Sequence, residues 1–152
     1  MKTMTKKIAG IGFFTFDKGW IRKEKLKLWN KNFDIDIIMS AYSDEDISKS
    51  QKDSYMWLKS NVDYFSSESQ QLMEKYINDY KDEILPYIDE PIPYKKLIDL
   101  VKPTSIIFFN TGSFGIICSC EWDEEDDLVV YVDSSKKIIV SPSDILSQEE
   151  ET

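Results

Sequence analysis

Phe33-Asp34-Ile35-Asp36-Ile37-Ile38-Met39-Ser40-Ala41 alternates apolar and polar residues over most of its length. Phe33, Ile35, Ile37, Met39 and Ala41 take one face, and Asp34, Asp36 and Ser40 the other. A period of two marks a β-strand with one face on a core and one in water. Upstream, Trp20 to Trp29 reads as a second strand, because Lys25 and Lys27 alternate with Leu26 and Leu28. Asn30-Lys31-Asn32 is the expected turn between them. Ile8–Phe16 is rich in β-branched and aromatic residues, as strands are. It stops at Asp17-Lys18-Gly19, a hairpin turn signal. These residues predict an N-terminal three-stranded antiparallel meander.

Downstream the period changes. Ser43 or Asp44 suits a helix N-cap. Ile47, Tyr55, Leu58, Val62 and Phe65 then fall on a helical stripe. Ser66-Ser67 interrupts it, with Ser67 as the next expected cap. Leu72, Met73, Tyr76, Ile77, Tyr80 and Ile84 form a second stripe ended by Pro86. Two such helices with a short joint predict an αα-hairpin. Asp89-Glu90-Pro91-Ile92-Pro93 is a connector, and Tyr94–Val101 reads as a short helix stopped by Pro103. A second β block follows. Ile106–Asn110 and Phe114–Trp122 flank Thr111-Gly112-Ser113, and Leu128–Asp133 and Lys137–Ser141 flank Ser134-Ser135-Lys136. Ile106–Phe109 and Leu128–Val132 are apolar on both faces, as central strands are. Strands grouped apart from helices predict an α+β fold. The expectation is a meander, two to three helices, and C-terminal antiparallel strands packed with them in one domain spanning 1–152, with a frayed tail over 142–152.

With 152 residues, 41% of them apolar, the chain has material for a full core. Its net charge of −9 is unevenly spread. Residues 1–31 carry nine Lys or Arg against two acids (+7), leaving ten bases against 26 acids (−16) in 32–152. The surface of the larger part repels nucleic acid and favours a cationic partner. The basic start is followed by an apolar stretch broken at Gly10, Gly12, Thr15 and Asp17. That is too weak for a signal peptide, and no segment approaches membrane-spanning length. The reading is cytoplasmic, with no membrane partner.

Several chemistries are excluded. Without histidine, Ser-His-Asp and Cys-His arrangements cannot form. Gly10, Gly12 and Gly19 are wrongly spaced for a dinucleotide fingerprint, and Gly112-Ser113-Phe114-Gly115 lacks the lysine of a phosphate loop. Cys118 and Cys120 point to one face of a strand and read as core, with no further Cys or His to complete a zinc site. The expectation is no catalytic residue, no metal and no cofactor. A carboxylate-dependent hydrolase or transferase is the enzymatic alternative, and a scaffold or sensor domain the other.

One run stands apart: Glu121-Trp122-Asp123-Glu124-Glu125-Asp126-Asp127. Its bland reading is a solvated turn between apolar strands. Calcium binding is another, against which stands the missing central glycine. The third makes Asp123, Glu124, Glu125, Asp126 and Asp127 a docking patch for a basic protein. Trp122, two residues after Cys120, is expected in the core.

The segment Cys120-Glu121-Trp122-Asp123-Glu124-Glu125-Asp126-Asp127-Leu128-Val129-Val130 resembles the C-terminal signature of a family of bacterial domains of unknown function. There a strand ends in Cys-x-Trp-Asp-x-Glu, followed by His-Gly-Leu-x-Val. Leu97–Val101 and Pro103–Ile106 are similar to that family's lead-in. Asp126-Asp127 stands in place of His-Gly, which makes this stretch more acidic than the pattern and removes whatever the histidine does. The resemblance implies a grouping with immunity proteins of bacterial polymorphic toxin systems, small non-catalytic proteins that neutralise a cognate, often basic, toxin.

Overall fold

The computed structural model describes residues 4–8, 10–87 and 98–147. Eight strands lie in one sheet in chain order: β1 (Thr5–Ile8), β2 (Gly12–Phe16), β3 (Trp20–Leu28), β4 (Lys31–Met39), β5 (Val101–Phe108), β6 (Phe114–Cys120), β7 (Asp123–Val132) and β8 (Ile138–Pro142). Every neighbouring pair is antiparallel except β4 and β5, which run parallel through Asp36↔Ser105 to Met39↔Phe108. Parallel neighbours need a crossover. Here it carries three helices, α1 (Lys49–Ser60), α2 (Val62–Asp79) and α3 (Lys81–Ile84).

This overturns the expected architecture. The N-terminal part is not a three-stranded meander, and the C-terminal strands do not form a separate antiparallel block with the helices. The chain is mostly one continuous mixed sheet of eight strands, with the β4–β5 seam joining its halves. The N-terminal half has four strands because Ile8–Phe16 is not one strand. It folds back over Gly10 and Ile11, with Ile11 N donating to Ile8 O at 3.0 Å. Gly10 has φ +81° and Gly12 φ +130°, conformations that L side chains rarely adopt. Pro103, expected to stop a helix, lies inside β5 at a register irregularity. A proline is tolerated at such a bulge. It also precedes Ser105, the first β5 residue paired with β4. Of the helix expected over Tyr94–Val101, residues 94–97 lie outside the described residues and Val101 begins β5.

Helix boundaries also shift. Ser48, not Ser43 or Asp44, caps α1. Its side chain accepts from Gln51 N while the Gln51 side chain accepts from Ser48 N, a full capping box. Ser66 and Ser67 are interior to α2. The break falls at Asn61, whose N–H still reaches Trp57 O at 2.9 Å. One non-helical residue leaves no loop for the expected αα-hairpin.

The helices cover one face of the sheet. Tyr55 packs edge-on against Phe108, and Phe65 and Trp57 tilt against Phe114. The even residues of β6, Phe114, Ile116, Cys118 and Cys120, are buried beneath them. Cys118 and Cys120 are therefore core, as their spacing indicated. Ser143–Leu146 forms a 3-10 helix after β8, and the side chains of Leu146 and Val129 lie close to Gly115 on the opposite face.

Candidate acidic groove

The acidic run is not in a turn. The turn between β6 and β7 is Glu121-Trp122, and Asp123–Asp127 form the first half of β7. Cys118 pairs with Leu128 and Cys120 with Asp123. β6 thus advances two residues while β7 advances five. Glu124, Glu125, Asp126 and Asp127 together lie opposite Ser119 alone. Bulges of this kind end regular pairing and re-aim side chains. Asp123 holds the distortion, since its Oδ1 accepts from both Glu125 N and Asp126 N at 3.1 Å.

The bulged acids form one wall of a groove of about 680 Å³. Asp123, Glu125, Asp126 and Asp127 line it from the sheet, and Glu83 and Asp144 from the end of the helical layer and from the C-terminal 3-10 helix. Tyr76 from α2, Tyr80 at the C-cap of that helix and Tyr87 beyond α3 line it too. The rings of Tyr76 and Tyr80, one helical turn apart, are 4.6 Å centre to centre. Tyr87 is 71% exposed. Among the described residues, six carboxylates and three phenol rings line the groove, and no Lys or Arg does. Trp122 lines it as well, half-buried against the core rather than within it.

The negative potential registers on neighbouring groups. Burial pushes the Cys120 thiol up to about 12, and Asp127 and Asp123 push in the same direction. Tyr76 is raised by burial first, then by Tyr80, Cys120, Glu83 and Asp144. Both groups stay neutral near pH 7, so neither adds to the negative charge. Among the described residues, no three Cys, Asp or Glu come together as a metal site requires.

Asp123, Glu125, Asp126 and Asp127 are thus brought together, and the backbone of Glu124 lies in the same bulge. The sequence reading missed Tyr76, Tyr80, Tyr87, Glu83 and Asp144. Spacing alone places Tyr76 and Tyr80 on a helical stripe. The available signal was their chemistry, since a tyrosine pair at i, i+4 carries two polar tips that need water or a partner.

The match of a family profile, Domain of unknown function (DUF6985), covers residues 10–147. The chain belongs to the DUF6985 family. The matched span holds all of the groove and every strand but β1. No curated protein and no solved structure is significantly similar to the chain. Membership of DUF6985 does not by itself assign an activity.

Proposed function

We propose that this DUF6985 protein is a non-enzymatic binding protein, an immunity protein that neutralises a cognate toxin by docking a basic segment of it. The observation that carries the reading is the groove, lined among the described residues by six carboxylates and three tyrosines and by no cation. Lys and Arg side chains suit such a surface, because the acids attract the charge and the ring faces take the cation. The resemblance of Cys120–Val130 to a signature grouped with immunity proteins supports the same reading. So does the net charge of −9, which speeds encounter with a basic protein. Six of the 28 acids of the chain line this concave surface.

The test is co-expression with the product of any toxin gene adjacent to that of this chain. The expected result is rescue of growth and a stable complex, and both are lost in the triple variant Glu125→Gln, Asp126→Asn, Asp127→Asn. A chain that neither binds nor neutralises such a toxin contradicts the proposal.

A further inference from the structure

Among the described residues, β8 is the last strand of the sheet and pairs only with β7. Its other edge has no strand beside it, although α2 packs against β8, and the phase of that edge follows from one hydrogen bond: Asp133 N donates to Lys137 O at 3.1 Å across the β7–β8 turn. In an antiparallel ladder, residues whose backbone groups face the partner strand alternate with residues whose groups face away. Residues 137, 139 and 141 therefore turn towards β7. Ile138, Val140 and Pro142 turn towards the open edge, which offers two N–H donors and three carbonyl acceptors.

Exposed edges are commonly blunted by lysines or other charges. β1, the opposite edge, carries Lys6 and Lys7 within four residues. β8, Ile-Ile-Val-Ser-Pro, carries no charge. Its line of outward backbone groups ends at Pro142, and Pro142, Ser143 and Asp144 line the acidic groove. A strand added beside β8 thus runs directly to the groove. Charge selects the occupant. A second copy of this chain brings a further −9, whereas a basic segment is drawn to the carboxylates.

We infer that β8 is a docking edge, at which an extended Lys- or Arg-bearing segment of the partner protein adds as a ninth strand and delivers a basic side chain into the groove. Strand addition supplies affinity through the main chain and leaves specificity to the side chains. The inference rests on the reading of the groove as the partner site, and the two are separable by experiment.

The probe is a synthetic decapeptide of alternating Val and Lys, with a version N-methylated on alternate residues as a control that cannot pair along one edge. Binding to the full chain is followed by fluorescence anisotropy, and backbone amide exchange by NMR. The expected result is binding of the first peptide, slowed exchange at Ile138 and Val140, and at least tenfold weaker binding of the N-methylated peptide. Val140→Pro, which removes one outward donor, weakens the first peptide to a similar degree. Equal affinity for both peptides with unchanged exchange at Ile138 and Val140 overturns the docking edge and leaves the groove reading standing. Undiminished binding and protection in the triple variant Glu125→Gln, Asp126→Asn, Asp127→Asn overturns the groove reading instead. Concentration-dependent protection of β8 in the free chain assigns the edge to a second copy, and absence of binding overturns both.

Discussion

Trp29 holds a conformation that few aromatic residues adopt, with φ +53°, and Asn30 follows at φ +64°. Together they form the two-residue turn between β3 and β4, where Leu28 pairs with Lys31. Two successive positive φ values fit the right-handed twist of a hairpin but strain a side chain with a Cβ. α2 holds the residue in place: Trp29 N donates to Ser66 Oγ at 2.8 Å and Trp29 Nε1 to Ser69 Oγ at 3.0 Å. Ser69→Ala leaves the buried indole N–H without its partner. The expected cost is about 1–3 kcal/mol by urea denaturation, and an unchanged midpoint would contradict this role. These serines explain one failure of the sequence reading. Ser66-Ser67 looked like a helix break because serine competes with helical backbone. Only the tertiary contact to Trp29 reveals why serine stands there.

A second residue-scale prediction concerns Tyr55. Its hydroxyl donates to Glu24 Oε2 at 2.7 Å and accepts from Arg22 Nη2 at 2.8 Å. Burial raises the Tyr55 phenol to about 12, reinforced by Glu24 and partly offset by Arg22. Burial also pushes Glu24 up, but hydrogen bonds from Tyr55 and Lys59, the Lys59 charge and Arg22 outweigh it, and its carboxyl sits below its usual range. For Tyr55 the folded value exceeds the unfolded one, so its contribution is fully present below pH about 10 and is lost as pH rises towards about 12. Stability measured across that window is expected to fall less steeply in Tyr55→Phe than in the unsubstituted chain.

Elements were legible where local chemistry sets them. The alternation in Phe33–Ala41 gave β4, and the both-face apolar runs gave the central parts of β5 and β7. The Ser48–Gln51 capping box was equally present in the sequence, but Ile47 on the apolar stripe drew the cap too early. Ser48→Ala removes the acceptor for Gln51 N and the donor to Asn110 O. The expected loss is about 1 kcal/mol, read as a lowered thermal midpoint, and no shift would argue against the cap. Gly10-x-Gly12 fails as a nucleotide fingerprint, though glycines so spaced within an apolar run also mark a reversal of the chain. The β6–β7 bulge had no local signal. Which residue of β6 faces which residue of β7 depends on pairing on either side, and five residues against two is a property of two strands.

At the level of the molecule, the illegible step was the parallel seam. Asp36↔Ser105 brings together residues 69 positions apart, and no periodicity encodes such a partner. That seam makes one sheet of two meanders, over which α2 and α3 bring Tyr76, Tyr80 and Glu83 to the acids of β7. The acidic patch was therefore readable as composition, whereas its tyrosine wall was not. The acids that line the groove lie on β7, at the end of the helical layer and on the C-terminal 3-10 helix.

The most direct test of the groove is the association rate of an adjacent-gene toxin, measured by stopped flow at low and at physiological salt. The variant Glu125→Gln, Asp126→Asn, Asp127→Asn is compared with an equal charge change elsewhere, Asp44→Asn, Asp63→Asn, Glu74→Gln. If the groove steers and holds a basic segment, its neutralisation slows association at low salt by about tenfold or more and flattens the salt dependence, while the control stays within about twofold. Equal rates for the two variants would contradict the account.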